Sequence, residues 1–168
     1  MITTQSATEA DWVALRSHQT DPWAVPRVEE SAAGADWPPA DEPAFLRSVY
    51  LRGRLVGVGG LWDIDLVEPG AARFGYVALP RLHSREYLAM AVNAIMRDIV
   101  AETDIVRIYG EMALDVEPAV AAWRYVIDRV VKENAAAVAS GTWWNVGGKD
   151  ETQPMRWQWF LRRGEDLA

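Results

Sequence analysis

The chain has 168 residues, half of them apolar and about a quarter charged, which is enough for one well-filled core and too little for two typical domains. It has no cysteine, which excludes disulfides, thiolate catalysis and cysteine-based zinc sites, and its two histidines, His18 and His83, are too few for most histidine-rich metal sites, so no metal is expected. A net charge of −7, with no basic run longer than Arg162-Arg163, argues against a nucleic-acid partner.

Met1 to Ser6 lacks the basic-then-apolar pattern of a leader, and no stretch approaches the roughly 20 apolar residues that cross a bilayer. A soluble, cytoplasmic protein with no membrane partner is expected. Ile2 to Ser6 suits a first strand. Thr8 can cap a helix from Glu9 to about His18, with Trp12 and Leu15 on its apolar side. From Thr20 to Pro43 the chain is rich in proline and acidic residues and reads as a long surface connection, either a functional lid or a disordered excursion.

Ser48 to Arg52 and Leu55 to Trp62 are two β-rich runs around Gly53-Arg54, a tight hairpin in which Val56 and Val58 are expected to share a face. Asp63 to Ala71 makes the next turn and Phe74 to Leu79 a further strand, giving three antiparallel strands in a meander. After Pro80, Leu88, Val92, Ile95 and Ile99 recur at helical spacing, with Ser84 as the cap. Ile105 to Met112 reads as a buried strand. Pro118 can open a helix carrying Val120, Trp123, Ile127 and Val130 or Val131 on one side. Ala135 to Ala139 fits either helix continuation or strand entry. Thr142 to Val146 and Met155 to Leu161 form a terminal hairpin, with Met155, Trp157, Trp159 and Leu161 on one face of the second strand.

The nine tryptophans are first expected in the core, with a ligand-stacking wall or an interface as alternatives. One such alternative is a small-ligand α+β domain whose pocket is walled by Trp62, Trp143, Trp144 and Trp157. Adjacent Trp143 and Trp144 cannot face the same side of a strand, so one of them is expected to reach a second layer or a partner, as in a homo-oligomer or larger assembly. No Ser-His-Asp arrangement stands out; His18 and Asp21 are near only in sequence.

The order β, α, long loop, β-β-β, α, β, α, β-β is that of an α+β domain, with helices packed on a mixed, mostly antiparallel sheet of about seven strands. Together with the opening Ile2 to Asp11, the Leu55-Val56-Gly57-Val58-Gly59-Gly60 hairpin core and the strand Phe74 to Pro80 entering a long helix, it resembles the GNAT N-acetyltransferase superfamily over nearly the whole chain. The resemblance implies acetyl-CoA lying between two splayed central strands, its pyrophosphate at the start of the long helix, and transfer of the acetyl group to a primary amine of a small molecule or protein.

The family's loop at that helix reads Arg or Gln, two residues, Gly, one residue, Gly or Ala. Here Arg85 takes the first place, while Leu88 and Met90 stand where the glycines would be and are expected to crowd the phosphates. The coenzyme would then be met by Val77 and Leu79 on the strand and by the side chains of Arg81, His83, Ser84 and Arg85. The family's last helix carries asparagine, alanine and a tyrosine that protonates the departing thiolate; the matching spacing gives Pro118, Ala121 and Tyr125. Glu111 is the first candidate for the base that deprotonates the amine, with Asp63 and Asp65 next. The alternative implied by the glycine-free loop is a degenerate GNAT-like fold acting as a binding or structural module, similar to small divergent proteins encoded by phages.

Overall fold

In the computed structural model, which describes residues 1–16, 37–38, 41–78, 84–112, 117–147 and 154–164, seven strands form one sheet in the order β1-β2-β3-β4-β5-β7-β6. The elements are β1 Ile2–Ser6, α1 Glu9–Arg16, β2 Phe45–Leu51, β3 Arg54–Trp62, β4 Ala71–Ala78, α2 Arg85–Glu102, β5 Arg107–Met112, α3 Glu117–Glu133, β6 Val138–Asn145 and β7 Met155–Leu161. All neighbours run antiparallel except β4 and β5. This is the expected α+β sheet. Most of the 20–43 connection, and His18 and Asp21 with it, lies outside the described residues.

Each start and stop has a local cause. Thr8 Oγ1 accepts the Asp11 N–H at 3.1 Å and caps α1. The β2–β3 turn places Arg52 and Gly53 at φ 51° and 80°, the paired positive values of a turn whose twist matches a hairpin. Ser84, with extended backbone, accepts the Tyr87 N–H at 3.4 Å and caps α2 as the sequence predicts. Asn134 to Ala137 form a turn that ends α3, so Val138 enters β6.

Three expectations are corrected. Val56 and Val58 do not share a face: Val49 pairs with Gly57 and Tyr50 with Leu55, which leaves Val56 as the extra residue of a bulge. Val56 packs in the main core and Val58 in a second one. Strand β4 begins at Ala71, three residues before Phe74, because Ala71–Arg73 pair with β5. The Gly53-Arg54 turn is shifted by one residue, since Arg54 already pairs with Leu51.

The main core fills the space between the sheet and α2 and α3: Leu88, Val92, Ile95 and Ile99 from α2 meet Val120, Trp123, Ile127 and Val130 from α3, all buried. Full burial of each such side chain is worth about 1.5–3 kcal/mol. Phe74, Trp123, Trp157 and Trp159 form its aromatic centre, with ring centroids 4.7–6.2 Å apart. On the opposite face Trp12 and Leu15 of α1 cover Val58, Trp62 and Val77. No described helix is long and apolar enough to cross a membrane.

Candidate functional site between two parting strands

The sheet is interrupted once. Strands β4 and β5 pair only through Ala71–Arg73 and Arg107–Tyr109. Beyond that point β4 stays with β3, up to Ala78 opposite Gly57, and β5 stays with β7, up to Met112 opposite Met155. The backbone edges that Phe74 to Ala78 and Gly110 to Met112 would have turned toward each other therefore lack a sheet partner among the described residues. Strand β4 ends at Ala78, and the next described residue, Ser84, caps α2, so the next described element of the chain begins with a helix N-terminus.

Of the residues expected to hold a coenzyme, Val77 spends its fully buried side chain on the second core, so only its backbone is available to the opening. Leu79, Arg81 and His83 lie outside the described residues. Ser84 and Arg85 form the helix start, and the Arg85 guanidinium lies 4.6 Å from the ring centre of Tyr125 and 3.9 Å from Glu86. Leu88 is buried in the main core and Met90 lines a groove between α2 and α3, one turn into the helix. Both lie beyond the capping turn Ser84 to Tyr87.

Tyr125 of α3 faces that same first turn. Its hydroxyl donates to Glu86 Oε1 at 2.9 Å and accepts from Arg129 Nη1 at 3.3 Å. The bond to the Glu86 carboxylate is the main cause that raises its pKa, so the phenol keeps its proton through the neutral range.

Glu111 is on the other face. Ile108 and Met112 point into the main core, so Arg107, Tyr109 and Glu111, alternating with them, face away from α2 and α3. There Glu111 Oε1 accepts from Arg156 Nε at 2.8 Å. A cavity of about 310 Å³ lies over these residues, lined also by Arg73, Trp144 and Trp157. Tyr125 and Glu111 thus stand on opposite faces, with the opening between them. Asp63 is paired with Arg73 at 3.5 Å, and Asp65 Oδ1 accepts the Gly70 N–H at 2.7 Å, which folds the β3–β4 turn.

The four-tryptophan wall is not formed. Trp62 packs on Trp12 under α1, Trp157 belongs to the main core, and Trp143 carries the Arg124 guanidinium 4.3 Å above its ring. Trp144, on the opposite face of β6, alone joins Trp157 at the cavity. Glu86, Arg73, Arg107 and Arg156 were missed from the sequence. The outward set Arg107, Tyr109 and Glu111 at alternate positions was a readable signal; the partners from β4 and β7 were not. Among the described residues no group of three or more His, Asp or Glu is placed to hold a metal ion.

No protein-family model matches the chain, and no curated protein matches it in sequence. Solved structures do. Spermidine N-acetyltransferase from Vibrio cholerae, in complex with CoA and spermine, matches with a TM-score of 0.60 at 11% identity, over 95% of each chain. Aminoglycoside acetyltransferase AAC(6')-Ib, in complex with coenzyme A, matches with a TM-score of 0.61 at 13% identity, over 96% of this chain and 95% of that one. The chain has the fold of the GNAT acetyltransferases in a divergent sequence.

Proposed function

We propose that the protein transfers an acetyl group from acetyl-CoA to a primary amine by direct attack. One observation carries the reading: β4 and β5 part after three paired residues, and the next described element after β4 is a helix with a capped N-terminus. Backbone N–H and C=O groups in such an edge require partners, and a ligand chain that contains amides can supply them as an added strand. The first N–H groups of α2 suit a pyrophosphate, and exposed Arg85 adds a positive charge there. Leu88, buried in the main core, does not project into solvent at the helix start.

When bound, acetyl-CoA supplies a thioester carbonyl, which an amine nitrogen attacks as the carbon–sulfur bond breaks and the thiol leaves. Glu111 is the proposed base, taking a proton from the acceptor's ammonium directly or through water. Tyr125 Oη is the proposed proton donor on the helix side. Its raised pKa keeps it protonated, and donation requires that its bond to Glu86 open. The two assignments suit a donor entering from one face and an acceptor from the other. The structural neighbours, a spermidine N-acetyltransferase and an aminoglycoside acetyltransferase, support an amine as acceptor. A degenerate fold with a purely structural role is not favoured, because the open strands and helix start are retained; the neighbours lend no support to a phage source.

Calorimetric titration with acetyl-CoA tests the reading. Binding is expected, weakened at least tenfold by Arg85→Glu, and absence of heat at millimolar coenzyme would sink it. Tyr125→Phe should slow thiol release about 100-fold, the usual scale for one general acid, with coenzyme affinity intact. Unchanged turnover would remove Tyr125 from the chemistry.

A further inference from the structure

The cavity on the face away from α2 and α3 has a charge pattern that selects among amines. Among the described residues, three guanidinium groups, of Arg73, Arg107 and Arg156, line it together with one carboxylate, that of Glu111. The acids that balance two of them do not line it: Asp63 lies 3.5 Å from Arg73 Nε, and Glu68 lies 2.9 Å from Arg107 Nη1. Arg107 Nε donates to Gln158, and its second Nη makes no hydrogen bond to a described residue. Between the two guanidiniums sits the Tyr109 ring, its centre 5.6 Å from Arg73 Cζ and 4.9 Å from Arg107 Cζ. The Tyr109 hydroxyl is shut off from solvent and has no hydrogen-bond partner among the described residues.

A shielded phenol that has no acceptor among the described residues and lies between two guanidiniums is an arrangement that an oxyanion completes. It would accept from the phenol and from the guanidinium donors together. A polycation meets the reverse situation: among the described lining residues its only carboxylate is Glu111, which Arg156 already engages at 2.8 Å. Size points the same way, because about 310 Å³ is at the small end of ligand sites and corresponds to an acceptor of amino-acid dimensions. The indole of Trp144 and the Tyr109 ring add an apolar wall.

We infer that this cavity takes a small primary amine bearing a carboxylate, an amino acid with an aromatic or apolar side chain, with the carboxylate toward Arg73, Tyr109 and Arg107 and the amine toward Glu111. As the identity of the acetyl acceptor, this rests on the transferase reading above. It sets the chain apart from the structural neighbours, a spermidine N-acetyltransferase in complex with CoA and spermine and an aminoglycoside acetyltransferase.

The experiment is calorimetry on the full chain at low ionic strength, without coenzyme, using L-phenylalanine, L-phenylalaninamide and spermidine. Phenylalanine should bind, its amide at least tenfold more weakly, and spermidine not at all. Tyr109→Phe, which removes one hydroxyl and leaves the ring, should weaken phenylalanine about tenfold, as should Arg107→Gln. Equal binding of acid and amide, preference for spermidine, or no phenylalanine binding at millimolar concentration overturns the inference. Silence toward acetyl-CoA strikes the transferase reading alone, since the amine titrations contain no coenzyme.

Discussion

Trp123 and Trp159 are both fully buried, both touch Phe74 and Trp157, and differ in one bond. Trp159 Nε1–H donates to the Ile127 carbonyl at 3.1 Å, whereas Trp123 Nε1 has no partner among the described residues. Replacing either by Phe removes the same atoms and leaves a similar void, a shared cost on the order of 2 kcal/mol, below the 3–5 of truncation to Ala. Trp159→Phe also loses a buried hydrogen bond, worth about 1 kcal/mol net, while Trp123→Phe removes a desolvated donor that costs about 1–3 kcal/mol unpaired. Ile127 lies within α3 and keeps its helical bond, so no orphan carbonyl is created. The two variants should therefore differ by about 2–4 kcal/mol, Trp159→Phe being the less stable. Urea unfolding followed by far-ultraviolet circular dichroism reads this as a midpoint gap of about 1 M, at a slope of about 2–3 kcal/mol/M. If Trp123→Phe is as unstable as Trp159→Phe with the slope unchanged, the hydrogen-bond argument is wrong.

Two further predictions concern groups whose environment is set by distant chain. Helix α2 has no basic residue in its last turn, and Arg163, just after β7, takes that place: it donates to the carbonyls of Val100 at 2.7 Å, Ile105 at 2.9 Å and Ile99 at 3.3 Å. Arg163→Ala should cost about 2–3 kcal/mol, a drop in Tm of about 4–12 °C for a chain of this size, and Arg163→Lys should recover only part, because an ammonium cannot span three carbonyls. Full recovery by Lys would show that charge alone matters. Burial raises the pKa of Tyr76 well above its ordinary value of 10.0. Above pH 10 the unfolded chain releases a proton that the folded chain keeps, so stability falls as pH rises, by up to about 1.4 kcal/mol per unit from this group. Urea midpoints across pH 9 to 11 should decline less steeply in Tyr76→Phe; parallel declines would count against the burial of this phenol.

What could be read from the chain followed the periodicity of its apolar residues. Helix α2 announces itself through Leu88, Val92, Ile95 and Ile99 and a serine cap, all local signals. Strand β7 alternates so regularly that Met155, Trp157, Trp159 and Leu161 were placed on one face before any coordinates. The bulge at Val56 was not legible, because a single extra residue leaves no mark on composition while reversing every face after it. Tyr125 and Glu111 could be proposed from the sequence but their partners could not: Glu86 is 39 residues from Tyr125 and Arg156 is 45 from Glu111, so their pairing depends on the packing of α2 on α3 and the register of β5 with β7. The Arg73–Tyr109–Arg107 stack depends in turn on three residues of parallel pairing, which no local pattern encodes.

Why the opening persists rather than closing into a continuous sheet follows from how β4 is held. Its other edge is zipped to β3 from Arg73 to Ala78, and the approach is close: a methyl at Gly57 would stand 2.0 Å from the Tyr76 hydroxyl, and one at Gly59 2.5 Å from the Gly75 carbonyl oxygen. Gly60, at φ +146°, would bring a methyl to 2.0 Å from the Phe45 carbonyl oxygen, so β3 is equally tied to β2. The side chains fix both faces, with Phe74, Tyr76 and Ala78 in the main core and Val77 in the second. On the far side, β5 is held by β7 over Arg107 to Met112. Swinging either strand across would break these contacts for a few backbone bonds, each worth about 1 kcal/mol net. A ligand that adds its own amides to the gap meets edges already in place, and its affinity is not reduced by the cost of ordering them.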